Sequence, residues 1–201
     1  HYLSNSVGGV GVQFMKESDR KAWVRFVPPR WIYPDATICG VPSEASRGML
    51  RGWYAQNGVS LKNPRLGFVC TAQTTDGQLG LAGYFQEYDH DLAPEERLRY
   101  SPGELPPAFD PEAAPKLPAA EWPAERLAKA NRNYAMEYVR TGLPRMAELF
   151  GPAETGAIAG KVARMIGAQS YLATAAGLGV SGNTPLDFAR FLQAEAAAEG
   201  D

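Results

Sequence analysis

Hydrophobic and polar positions alternate across residues 8–27. Val10, Val12 and Phe14 interleave with Gly and Gln, Glu17-Ser18-Asp19-Arg20 forms a polar interruption, and a second run follows from Lys21 to Val27. A period of two is the mark of a strand, so this segment predicts a β-hairpin. In its second strand Ala22, Val24 and Phe26 share one face, and Trp23, Arg25 and Val27 the other. Pro28-Pro29 ends it, since neither residue can donate to a ladder. The next stretch, Pro28-Pro29-Arg30-Trp31-Ile32-Tyr33-Pro34, is rich in rings and prolines and predicts irregular chain to about residue 42. The period then lengthens. Ser43 is placed to cap a helix running to Asn57, with Gly58 as its stop and Ala45, Met49, Leu50, Trp53 and Tyr54 as its apolar stripe. Alternation returns at Leu66, Phe68 and Cys70, Thr75-Asp76-Gly77 signals a turn, and a strand leads back from Leu79 to Tyr88.

Residues 92–120 break the pattern. Seven prolines lie between Pro94 and Pro118, which predicts an extended linker or wrapping crossing. From Trp122 onward the spacing is helical. Pro123 suits a first helical position, and Leu127, Ala130, Tyr134 and Tyr138 fall on one face. Gly142-Leu143-Pro144 is a place for a kink or break before Met146, Leu149 and Phe150. Pro152 opens a second helix with Ile158, Val162 and Ile166 inward. Thr184-Pro185-Leu186-Asp187 is a capping-box variant that opens a third, with Phe188, Phe191 and Leu192 on its buried side. The resulting expectation is an α+β chain: an antiparallel four-stranded ββαββ sheet half over residues 1–91, a linker over 92–120, and a three-helix half over 121–201.

Composition narrows the function classes. In 201 residues, 45% are hydrophobic, enough for a real core. Twenty basic side chains against 22 acidic ones leave a net charge of −2, which gives no electrostatic reason to bind nucleic acid or an anionic membrane. No apolar run approaches the length of a membrane span. Two isolated cysteines, Cys39 and Cys70, form no C-x-x-C motif, and the expectation is a reducing, cytoplasmic setting. The first residues lack the architecture of a signal peptide, and the absence of an initiator Met fits a trimmed or processed chain or a piece of a longer one.

Strong catalytic signatures are missing. No G-x-G-x-x-G follows a predicted strand, and there is no phosphate-binding loop, nucleophile elbow or H-E-x-x-H. The densest polar cluster is Glu87-Tyr88-Asp89-His90-Asp91, at the end of the last predicted strand. His90 between carboxylates can act as general acid or base, with Asp89 or Asp91 orienting it or joining it on a hard metal. Cys70 is a candidate nucleophile if its thiolate lies near His90. Arg30, Trp31, Tyr33, Trp53 and Tyr54 are candidates to line a small-ligand pocket, since aromatic walls with a few polar groups are its usual make-up. Each has a plainer alternative: a solvated strand end, an inert buried Cys, and ordinary core packing. Only His1 and His90 could serve a histidine metal site, no ligand spacing picks out a metal, and the cofactor stays open.

The segment Asn63-Pro64-Arg65-Leu66-Gly67-Phe68-Val69-Cys70-Thr71, followed by Asp76-Gly77 and Gly83-Tyr84-Phe85, resembles the last hairpin of the L-2-amino-thiazoline-4-carboxylic acid hydrolase-like family. That family is similar in plan to the four-vinyl-reductase type of small-ligand sensor domain. Ala22-Trp23-Val24-Arg25-Phe26 looks like its preceding strand, and residues 124–194 look like its helical portion. The family places its helices before the sheet, the reverse of the order here. Pro28, Pro29 and Leu81-Ala82-Gly83 stand where its members often carry Cys and His. The resemblance implies a hydrolase-like protein acting on a small amide, amidine or thiazoline-type substrate; His90 of the polar cluster would then be its base and Cys70 a possible nucleophile. The alternative is a non-catalytic, sensor-like small-ligand-binding module or a subunit of a larger complex. Edge strands that need cover and the close helix contact that Gly156 and Gly160 allow predict a homo-oligomer or a heteromeric partner.

Overall fold

The computed structural model describes residues 11–27, 42–116 and 120–199. Its contacts divide the chain into two compact units, His1–Leu127 and Ala128–Asp201. The described strands and the short helices between residues 43 and 60 belong to the first.

The first hairpin forms as the alternation predicts, from β1 (Val12–Ser18) and β2 (Lys21–Phe26), with Asp19 and Arg20 at the turn. Lys16 pairs with Ala22 and Ser18 with Lys21, which leaves Glu17 as an extra, bulged residue. The second hairpin is built from β3 (Leu66–Ala72) and β4 (Ala82–Glu87). Between them lie a 3₁₀ turn, Thr74–Asp76, and Gly77. Gly77 has φ 80°, a left-handed conformation that side chains with a Cβ resist, so the expected turn closes on the residue best suited to it.

The expected four-stranded antiparallel sheet is corrected to a five-stranded mixed one in the order β1-β2-β4-β3-β5. The added strand, β5 (Leu98–Tyr100), runs parallel to β3, with Phe68 opposite Leu98 and Cys70 opposite Tyr100. It lies inside the proline-rich stretch expected to be linker. A 3₁₀ turn over Pro94–Glu96 precedes it. Pro94 and Pro102 flank the strand, and neither falls within the three residues that use the ladder, so the proline count concealed a segment free to pair.

The helix expected from Ser43 to Asn57 is also broken. α1 (Ser43–Gly52) gives way to a 3₁₀ turn, Tyr54–Gln56, and then to a single-turn α2 (Asn57–Ser60). Ser43 is not the cap: Pro42 holds that position, and the Ser43 hydroxyl instead donates to the Asp76 carboxylate in the β3–β4 loop. Gly58 is no stop. It lies within α2, where a Cβ would meet the Leu66 carbonyl at 2.6 Å and the Asn63 carbonyl at 2.7 Å. Of the predicted stripe Leu50 is buried, Met49 and Tyr54 are half-buried, and Ala45 and Trp53 are exposed; Trp53 already lies past the end of α1.

Leu50, Phe68, Cys70 and Leu81 form the core of this unit, with Val24, Phe26, Tyr54, Phe85 and Leu98 packed against it. Its centre is aromatic: Tyr54 lies 4.5 Å from Phe68 and 5.9 Å from Phe85, and Phe68 lies 4.9 Å from Phe85. Burial of each large apolar side chain here contributes about 1.5–3 kcal/mol. Gly83 makes the arrangement feasible. A Cβ there would collide with the Val69 carbonyl and approach Phe68 Cζ at 2.5 Å.

Three long helices follow, as expected: α3 (Ala124–Phe150), α4 (Pro152–Gly177) and α5 (Pro185–Glu199). α3 starts one residue after Pro123 and continues through Pro144, without a break at Gly142-Leu143-Pro144. Pro152 opens α4 as predicted, after Gly151 at φ 85°. The capping box of α5 forms reciprocally. The Thr184 amide donates to Asp187 Oδ2 at 3.1 Å, and the Asp187 amide donates back to Thr184 Oγ1 at 3.3 Å. Phe191 is buried as expected and meets Tyr171 of α4 at 4.9 Å. The inward expectation fails for Ile158, Val162, Ile166, Phe188 and Leu192, which are exposed. Their helical spacing is real, but each keeps more than a third of its surface exposed, Phe188 despite a ring contact with Tyr171 at 6.4 Å. Side chains of Tyr134 and Tyr138 fall outside the described set.

Gly83→Ala is expected to destabilise the sheet unit by about 1–3 kcal/mol, since the added methyl must displace backbone as well as the Phe68 ring. Urea unfolding of the full chain measures it.

Candidate functional site

The polar cluster at 87–91 lies where β4 runs out beside the β1–β2 turn. β2 pairs with β4 with Lys21 opposite Gln86, and the Glu87 amide donates to the Arg20 carbonyl at 2.8 Å. This register carries Ser18 and Arg20 to the end of β4. The chain beyond is held by two more backbone bonds, from Tyr88 to the Arg65 carbonyl and from Leu92 to the Pro64 carbonyl, each 2.9 Å. Leu92 is buried against Gly67, whose missing side chain admits it.

A cleft of about 510 Å³ results, lined by Ser18, Arg20, Tyr84, Gln86, Glu87, Tyr88, Asp89 and His90. Most of its charge is internally matched. Arg20 Nη1 lies 2.6 Å from Asp89 Oδ1, and this hydrogen bond holds the Asp89 carboxyl below the usual range. Arg65 Nη2 lies 2.9 Å from Glu87 Oε1, while Asn63 Nδ2 donates to Glu87 Oε2 at 3.1 Å. Arg99 sits 5.0 Å from the Tyr88 ring centre, and the Tyr88 and His90 rings are 6.0 Å apart. Tyr84 forms one wall. Burial, reinforced by Glu104, pushes its phenol up to about 12, so it stays a hydroxyl at neutral pH.

Below the cleft the bulge at Glu17 has a definite consequence. The Glu17 carboxylate accepts from Trp23 Nε1 at 2.6 Å and lies 3.1 Å from Lys21 Nζ. Those hydrogen bonds, Trp23 first, lower its pKa. Trp23 packs 4.7 Å from Tyr84, and the Lys21 ammonium stands 4.2 Å above the Tyr84 ring. The wall of the cleft is thereby fixed from behind.

The sequence candidates are only partly brought together. Asp89 and His90 share the cleft, but the Asp89 carboxylate is engaged by Arg20. Asp91 is exposed. Cys70 lies elsewhere. It pairs with Gly83, whereas Leu66 pairs with Glu87, so four residues of strand, about 13 Å, separate it from the cleft end. Its Sγ is 3.5 Å from the Ala72 carbonyl, the residue is 2% exposed, and burial pushes the thiol up to about 11. A neutral, enclosed thiol is a poor nucleophile. Tyr54 is a core ring between Phe68 and Phe85, and Trp53 is exposed beside it at 6.3 Å. Arg30, Trp31 and Tyr33 lie outside the described residues, as do His1 and Cys39. Among the described residues no three His, Cys, Asp or Glu gather as a metal site would require.

Sequence reading missed Ser18, Arg20, Tyr84 and Gln86. Arg20 stood out only as a turn residue, and nothing in one sequence gives the register that sets it beside Asp89. No protein-family model, curated protein or solved structure matches this chain.

Two outcomes follow from the Cys70 thiol. Iodoacetamide at about pH 8 is expected to leave Cys70 unmodified in the native protein and to label it on unfolding, as read by peptide mass mapping. Its raised pKa also means that stabilisation from the protonated thiol is complete below the unfolded value near 9.0 and is lost as pH rises toward about 11.

Proposed function

We propose that the sheet unit is a non-catalytic binding module for a small polar molecule, held in the cleft between the β1–β2 turn and the end of β4. The observation that carries this reading is the pairing of Arg20 with Asp89 at 2.6 Å across a cleft that also contains Tyr84, Gln86, Tyr88 and His90. Matched charges fixed by the sheet register hold a constant arrangement of donors and acceptors. No activated nucleophile faces them among the described residues. Binding needs only the former, and covalent hydrolysis also needs the latter.

A second reading is hydrolysis of a small amide, amidine or thiazoline-type substrate, which the family resemblance implies. Its support is the placement of His90 in the cleft beside Asp89. In that case His90 activates a water, and Asp89 serves through Arg20 as a fixed charge rather than as the direct orienter of the imidazole.

Titration of the ¹⁵N-labelled chain with acetamide, acetamidine and 2-amino-thiazoline-4-carboxylate separates the two. A binding module gives saturable amide shifts at Arg20, Gln86, Tyr88 and His90 with the probe recovered intact, and Arg20→Ala weakens them about tenfold. Probe consumption that disappears in His90→Ala replaces this reading with the hydrolase. An absence of shifts at those four residues with all three probes overturns binding at the cleft.

A further inference from the structure

Two rows of apolar side chains on the helical unit lie open. On α3, Met136, Val139, Leu143, Met146 and Phe150 follow one another at steps of three, four, three and four residues. On α4, Ile158, Val162, Met165, Gln169 and Leu172 do so at steps of four, three, four and three. Alternating steps of this kind keep side chains in one line, and that line is the seam along which helices pair. Yet Met136, Val139, Leu143 and Phe150 are 38–59% exposed, and Ile158, Val162, Met165 and Leu172 are 39–79% exposed. Every residue of α4 from 161 to 170 is exposed, and from 165 to 177 the helix carries no charged side chain. A helix with so little charge is ordinarily enclosed.

The two seams cannot close on each other within one molecule. Gly151 alone separates α3 from α4. Helices that lie side by side in opposite directions are joined by loops of about 2–5 residues. The cover therefore comes from elsewhere, and three properties suit a second copy of the chain. The first is area. With Ile166 beside the second seam, the exposed parts of these side chains offer on the order of 900 Å², against the roughly 800 Å² that each partner gives to a standard stable interface. The second is charge. Residues 128–201 hold seven basic and seven acidic side chains, so two copies of the unit do not repel. The third is Gln169, the one polar member of either seam. Beside a two-fold axis its amide, which both donates and accepts, is matched by the same amide of the other copy. A single polar group in such a seam fixes the register of the paired helices.

We propose that the chain forms a homodimer whose interface is the pair of seams on α3 and α4, with Gln169 next to the two-fold axis. No residue of the cleft at His90 takes part, so this assembly stands or falls apart from the binding reading.

Sedimentation velocity of the full chain between about 1 and 100 µM tests it, with a species of twice the chain mass as the expected result. The double variant Val162→Glu and Met165→Glu sets carboxylates in both copies of the seam and is expected to raise the dissociation constant at least about tenfold. Ala157→Glu, exposed on α4 but off the seam, is expected to leave it unchanged. Gln169→Cys, in a chain that also carries Cys39→Ser, is expected to give a disulfide-linked dimer with diamide as oxidant, because the axis brings the residue to its own copy. A monomer across the whole range, a dimer indifferent to the double variant, or no cross-link through Gln169→Cys each overturns the proposal. So does loss of helicity by circular dichroism in the double variant, which means the seam was already covered within one chain.

Discussion

The sheet unit depends on how closely Phe68 can lie against β4. That closeness exists because Gly83 presents no side chain where the ring passes. With Phe68 seated, Tyr54 packs against it at a tilt while stacking on Phe85, and Leu50 joins the same cluster, which fixes α1 on this face of the sheet. α1 in turn places Ser43 and Arg47 on Asp76 in the β3–β4 loop. The same pairing of β3 with β4 sets Leu66 against Glu87 at the far end, where the polar cleft opens. One close contact in the middle of two strands therefore governs both ends of them.

Electrostatics at the cleft follows from register rather than from composition. Arg20 and Asp89 are 69 residues apart in sequence and meet because β2 and β4 are neighbours with Lys21 opposite Gln86. A slip of one residue would turn every side chain of the strand to the opposite face. The apolar face of β2, through Val24 and Phe26, packs on the core and prevents that slip. Hydrophobic packing thus sets which charges meet, although the charges themselves lie at the solvent.

The α+β class and both hairpins were legible in the sequence because alternation and turn chemistry agree there: Val12 and Phe14 against Val24 and Phe26, and Gly77 at a left-handed turn. Caps with a local mechanism were also legible, as Thr184 and Asp187 show. What could not be read depends on partners distant in sequence. β5 is three residues long, too short to establish a period, and exists because β3 offers it an edge. Ser43 has the composition of a cap, yet its hydroxyl serves Asp76, 33 residues away. Trp23 sits on the face opposite the core and is nonetheless buried, since a bulge one strand earlier sends Glu17 to its indole nitrogen. At the site, His90 and Asp89 were visible as a cluster. Arg20 and Tyr84 were not, because only strand order brings them there.

The bulge at Glu17 also bears on how copies of this protein behave at high concentration. β5 covers the free side of β3, so among the described strands the margin of the sheet left for strand addition on that side is a mere three residues, and on the other side it is β1. β1 is interrupted near its end by the bulge and carries exposed Lys16 and Glu17. An interrupted, charged margin is a poor template for another chain's backbone. The irregularity that steadies an indole ring inside one molecule therefore also guards against strand-by-strand polymerisation between molecules.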